Sequence, residues 1–402
     1  MSIGLEMTGE GADREAIAAA IEARDDDPRP RVTRTEDGLL VALHPGAEEI
    51  ELTFAGGRVT LRASTTAAGP GYHQHVVALA EALDVRWDEG GDPTGWRDQR
   101  DPEALEELYL DWLGAAAARM LELEAEGVGD FMLNMPAGVV FTHDQLVATQ
   151  LGPRSREWLT RVRDDARAGL DAFPFWGAAK DAAYFRGLAL VEMWSAVRWR
   201  PPITEEERAL LEGIASRIEK AHGLDPELPL PWAEQSEILT LLDESSLRAT
   251  RAHLKAQSLP PPALGYRRHP VQIELSGGWW LTVPGELAER WDERGTWVGW
   301  DEGRSVFFNS FVARGDGPTP STEDTLHAMP PLDGDEILEL ERGDLRGIAA
   351  LSEVEDERGE LVHRLEAHAA IGPHAAIGTL IWIDPAEREW ALTTWGSLDR
   401  RD

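Results

Sequence analysis

The sequence predicts an α+β protein of several domains. Three observations carry this. The chain has 402 residues, two to three times a usual domain. Its apolar periodicity changes along the way: strands mixed with helices to about residue 150, helices to about 258, then mostly strands. A proline run, Leu259-Pro-Pro-Pro-Ala-Leu-Gly265, reads as a stiff extended spacer. The expected order is a small α+β domain over 1–150, a bundle of helical hairpins over 151–258 and a linker over 259–269. A final domain over 270–402 carries an antiparallel sheet with flanking helices.

In the first region, Glu15–Ala23 is a short helix with Ile17, Ala20 and Ile21 on one side. The loop Asp25–Pro30 ends it. Strands are expected at Leu39–His44, Glu49–Phe54 and Arg58–Ser64, the last two joined by Ala55-Gly56-Gly57 as a hairpin. Gly69-Pro70-Gly71 breaks the chain, and a helix follows over Tyr72–Leu83. Asp84–Trp87 reads as a further strand. Asp101-Pro102-Glu103 is a helix start, with Asp as cap and Pro in the first turn. That helix carries an apolar stripe from Leu105 through Leu108, Tyr109 and Leu113 to Leu123. Short strands are expected at Phe131–Asn134 and Val139–Thr142.

From Pro153 the pattern is helical. Trp158, Val162 and Ala166 mark one helix, and the largely apolar Asp181–Arg198 marks a central one. Thr204 with Glu207 forms a capping box for a helix ending near His222-Gly223. A further helix begins at Pro231. In the last region, strands are expected at Val271–Leu275, Trp279–Val283, Thr296–Trp300, Val306–Val312, Glu336–Glu341, Ile348–Val354, Leu361–Ala369 and Ala376–Ile383. Thr322–Met329 and Pro385–Leu398 are expected helices.

Composition narrows the functional classes. There is no cysteine, which excludes disulfides, thiolate nucleophiles and cysteine-bound zinc. The net charge is −34, from 73 acids against 39 bases, so a surface built for nucleic-acid phosphates is disfavoured. The acids are spread along the chain, which fits a solubility surface; an acidic nucleic-acid mimic remains an alternative. The three lysines are Lys180, Lys220 and Lys255, so nearly all positive charge is arginine. Met1–Gly11 lacks the basic and apolar regions of a secretory signal, and no run reaches a membrane span, so the cytoplasm is expected. The 16 tryptophans are mostly in periodic segments, where a buried face is expected.

Two stretches resemble known families. The segment from Ala221 through Leu224, Asp225 and Pro226 to Trp232 resembles the joint between tetratricopeptide-type hairpins, without a sustained repeat. The stretches "GGWWLTVPGELAER" and "AAIGTLIWIDPAEREWALTTWGSL" resemble the PsbP/DcrB-like family. The likeness rests on Trp280, Val283, Pro284, Asp384, Pro385, Ala391, Trp395, Ser397 and Leu398, and covers about 270–399. It implies an antiparallel sheet with flanking helices, and a binding rather than catalytic role: assembly factors, a transport cofactor and secretion chaperones. The acidic hairpin Glu353–Glu360 departs from the family pattern.

Few motifs point to chemistry. Tyr72, His73 and His75 follow Gly69-Pro70-Gly71 at a helix start, where free N–H groups and imidazoles could hold a ligand. Two residues apart on a helix, the histidines point about 200° apart and do not share one ion. His363, His368 and His374 do not form a ligand set on strand geometry. No phosphate loop, nucleophile elbow or zinc motif is present, and no metal or cofactor is expected. The reading leans away from an enzyme. It is a non-catalytic bacterial adaptor or chaperone, of an effector, secretion or defence system, taking a peptide or helix in a groove. Trp279, Trp297 and Trp300 are the candidate anchors. A hydrolase centred on Gly69–His75 is the alternative.

Overall fold

The computed structural model describes residues 2–11, 13–136, 138–314, 319–356 and 359–401. The chain is an α+β protein with two compact units. One comprises 1–135, 143–197 and 206–265; the other comprises 136–142, 198–205 and 266–402.

The first unit is built on a six-stranded antiparallel sheet. Its order is Arg31–Arg34, Gly38–Ala42, Ile50–Ala55, Arg58–Ser64, Gly4–Glu10, Arg86–Trp87. Leu39, Val41, Ile50, Leu52, Val59 and Leu61 are fully buried, as the alternation predicts. The strand Gly4–Glu10, not anticipated from the sequence, lies between the hairpin and Arg86–Trp87. Its buried residues are Leu5, Met7 and Gly9, the same period of two.

The helix Pro102–Ala125 is capped by the Asp101 carboxylate, which accepts from the N–H groups of Glu103 and Ala104. Its buried line is Leu105, Tyr109, Leu113, Ala117 and Leu121, at a spacing of four; Leu108 lies outside it. These residues share a core with Trp158, Val162 and Phe173. Arg156–Asp164 is capped by Ser155, and Ala182–Ser195 by Asp181. Three short strands add a small sheet in the order Gly152–Arg154, Val147–Thr149, Phe131–Leu133, the last pair parallel.

The helices Glu205–Leu224, Trp232–Leu241 and Leu247–Ala256 belong mostly to this same unit. The proline run is fastened to it: the buried Glu234 carboxylate accepts from the N–H groups of Ala263 and Leu264 at 3.1 and 3.2 Å. The loop after the first helix is held by ions. Asp26 accepts from Arg24 and Lys180, both at 2.6 Å, and Asp27 pairs with Arg217 and Lys220 at 3.4 Å. The Tyr184 hydroxyl donates to the Asp27 carbonyl at 2.9 Å.

The second unit is antiparallel throughout. Its seven-stranded sheet runs Ala288–Trp291, Trp297–Trp300, Arg304–Val312, His374–Trp382, Leu361–Ile371, Leu345–Glu355, Glu336–Arg342. A four-stranded sheet runs Asp399–Arg400, Trp279–Val283, Val271–Leu275, Val139–Phe141. The terminal helix Arg388–Gly396 lays Trp395 against Gly347 of the large sheet. Ser397 Oγ accepts from the Thr282 N–H at 2.9 Å, which fastens the end of this helix to a strand. In the acidic hairpin, Glu357 and Arg358 lie outside the described residues.

One crossing in the first unit, between a helix and a loop, is tight. Gly71 faces the carbonyl of Gly177 so closely that a Cβ there would stand 2.3 Å from the oxygen. A Gly71→Ala substitution therefore forces the backbone apart and costs about 2 kcal/mol or more. Gly213, inside a helix with only the tip of Arg217 nearby, has room, and Gly213→Ala stabilises by about 0.5–1 kcal/mol. Urea denaturation of the two variants should show opposite signs.

Candidate functional site

The helix Pro70–Ala82 starts at Gly69, whose φ of 110° suits glycine, with Pro70 in the first turn. No side chain caps it. The Gly71 N–H instead donates to the carbonyls of Phe175 and Trp176, at 3.1 and 3.0 Å, and the Phe175 N–H donates to Ala68 at 2.9 Å. The dipole end that could attract an anion thus already faces backbone oxygens.

His73 is fully buried, at 0% exposure. Its Nδ1 meets Thr65 Oγ1 at 3.0 Å, and the Tyr109 hydroxyl donates to the same oxygen at 2.7 Å. Its Nε2 meets Thr94 Oγ1 at 3.1 Å and Asp92 Oδ1 at 3.2 Å. Burial opposes the Asp92 charge, but hydrogen bonds from His73, Thr94 and the Arg97 N–H hold its carboxyl well below the usual range. The line Tyr109–Thr65–His73–Asp92 has the connectivity of a proton relay. Yet Thr65 and Tyr109 are also fully buried, and the Asp92 side chain is 2% exposed. The role of this line is to join a strand end, two helices and the loop at Asp92.

Tyr72 and His75 serve a second cluster. Phe175 is its centre, with ring centroids 5.8 Å from His44, 6.4 Å from Tyr72, 6.1 Å from His75 and 4.6 Å from Tyr184. His75 Nε2 lies 4.0 Å from Asp26. Burial pulls the His75 imidazole down to about 4 and that of His44 to about 3, so both rings are neutral near pH 7. His44 Nδ1 accepts from the Gly46 N–H at 3.0 Å. His73 and His75 therefore reach different partners, and no group of three metal-type side chains converges among the described residues. The sequence grouped Tyr72, His73 and His75 but missed His44, Asp92, Thr65 and Tyr109. The turn signals His44-Pro45-Gly46 and Asp92-Pro93-Thr94 were the clues available.

The candidate tryptophans divide. Trp279 and Trp297 are 0% and 1% exposed, and Trp279 lies 6.5 Å from Phe308 by ring centroids. They are interior residues of the second unit, correcting their assignment as anchors: strand alternation points both rings into the space between sheet layers. Trp300, half-buried, points the other way. Across the strands its row continues through Ser305 and Ile381 to Arg364. The next row holds Val298, Phe307, Thr379 and Glu366. Phe307 and Phe311, on this face, are 38% and 46% exposed. The charges here are matched, Arg364 with Glu366 at 3.2 Å and Arg346 with Glu341 at 3.8 Å. The face thus sets exposed Phe307 and Phe311 among polar and ion-paired side chains.

No family model matches the chain, and no curated protein matches it. Ten chains of solved structures are similar to it. One is a crystal structure from Bacteroides thetaiotaomicron VPI-5482, 13% identical, covering 31% of this chain and 46% of that one at a TM-score of 0.25. The match spans less than half of that chain, and a likeness this small says nothing of activity. No helix among the described residues is long and apolar enough to cross a membrane.

The buried neutral histidines set a pH dependence. The unfolded rings take up protons near pH 6.5, while the folded rings resist until about pH 4 for His75 and about 3 for His44. Their contribution is therefore complete above pH 6.5 and falls as the pH drops. Between pH 7 and pH 5 the unfolding free energy should fall by roughly 1–2 kcal/mol for each ring. The His44→Gln, His75→Gln double variant should show a correspondingly smaller fall in urea titrations at the two pH values.

Proposed function

We propose that this protein is a non-catalytic bacterial adaptor or chaperone that acts in the cytoplasm by holding a helix or peptide of another protein. The observation that carries this reading is an aromatic patch on the outer face of the seven-stranded sheet, with Phe307 and Phe311 exposed beside Trp300 and Ile381. Aromatic side chains on a rigid sheet bury much area at little entropic cost. The resemblance of 270–399 to the PsbP/DcrB-like family, whose members are mostly binders, supports the same reading by analogy of fold. An effector, secretion or defence system is the setting that analogy favours.

A hydrolase at Tyr72, His73 and His75 is the weaker reading, because His73, Thr65 and Tyr109 are fully buried. A nucleic-acid mimic is weaker too, since many carboxylates are matched by arginine rather than left in one open array.

The test uses the full chain. Phe307→Asp combined with Phe311→Asp should keep the melting temperature within a few degrees. It should also lower capture of the proteins that the wild type retains by tenfold or more. Equal capture by the two forms would refute the reading.

A further inference from the structure

The first unit contains a hollow of about 690 Å³ far from the polar relay in function and lined differently. Its floor is Phe173 and Pro174, and its walls include Leu151, Leu170, Trp176 and Leu190. These four wall residues are only half-buried although apolar. Two arginines also line it, Arg154 and Arg186.

The arginines differ in what they lack. Arg154 is 3.3 Å from the Asp171 carboxylate, so its charge is matched, but its buried Nε donates to nothing among the described residues. Arg186 donates to the Pro229 carbonyl at 3.3 Å, and among the described residues no carboxylate lies within salt-bridge distance of it. Arg186 thus brings to the lining of an apolar hollow a positive charge that no acid among the described residues pairs with. Asp181, also on the lining, is engaged as a helix cap, accepting from the Tyr184 N–H at 3.0 Å.

The geometry points to a binding site for a small amphipathic carboxylate, its apolar body against Trp176 and the leucines and its anionic head on Arg186. The volume lies in the range of pockets that enclose small molecules. A carboxylate supplies the two acceptor oxygens that a guanidinium fork prefers. A neutral amide of the same length keeps the apolar contacts and loses the charge. This site is independent of the docking face on the second unit, and either can fail without the other.

The test is calorimetric titration of the full-length protein with decanoate and with decanamide. Decanoate should bind at least tenfold more tightly, about 1.4 kcal/mol. In Arg186→Gln, decanoate should fall to the affinity of decanamide, while decanamide binding and the melting temperature stay unchanged. A Leu190→Trp variant, which fills the hollow, should weaken both probes. Absence of binding at millimolar concentration, equal affinity for the two probes, or unaltered decanoate affinity in Arg186→Gln would each overturn the assignment.

Discussion

The first unit depends on one passage of chain, Phe173 to Gly177, threaded between a sheet and its helices. Its carbonyls at Phe175 and Trp176 occupy the start of the Pro70–Ala82 helix. Side chains had to be removed to let it through: a Cβ at Gly71 would stand 2.3 Å from the Gly177 oxygen, and one at Gly187 would stand 2.5 Å from that of Pro174. Once the passage is seated, the Phe175 ring falls among His44, Tyr72, His75 and Tyr184. That packing explains why two histidines are neutral. It also places the ionic fastening of Asp26 to Lys180 beside the same rings. Close packing of this kind transmits any displacement directly, because interiors leave no slack to absorb it.

Local signals were legible where a segment's own pattern decides its state. Arg58–Ser64 and Trp279–Val283 have the bounds that alternation and turn residues suggest, and Asp101 caps its helix as residue type demands. Several elements escaped, three of them for identifiable physical reasons. Gly4–Glu10 carries glycines at two positions, which weakens strand propensity, and its stability comes from two flanking partners. Leu247–Ala256 is polar on average, with Ala252 its one fully buried residue, while Leu247 and Leu254 are exposed, so its leucines mark no core face. Ala288–Trp291 is short and forms one sheet edge.

The site was legible only in part. The turn Gly69-Pro70-Gly71 and the helix start after it are a local feature, but Tyr72, His73 and His75 divide between two clusters. Their partners come from elsewhere in the chain: Thr65, Asp92 and Tyr109 for His73, Asp26 and Phe175 for His75. No spacing rule predicts such encounters, because the fold alone sets them. The tryptophans show the same limit. Trp297 and Trp300 are three residues apart on one strand, which places them on opposite faces, one interior and one at the surface. The arginine-rich composition has a structural meaning as well. Glu289 holds both Arg198 and Arg267, at 2.9 and 2.6 Å, and burial lowers Arg267 from its ordinary value while Glu289 opposes the shift. Planar, permanently charged guanidinium groups suit such shared carboxylates better than lysine does.

The strand Val139–Phe141 comes from a part of the chain far from the rest of its sheet, yet it covers one side of Val271–Leu275. Cutting the polypeptide at the proline run would leave that side bare. Unpaired amides along a hydrophobic strand invite pairing with another copy, so an isolated C-terminal fragment is poised to aggregate. A fragment meant to stand alone has to bring that short piece with it, for example by circular permutation.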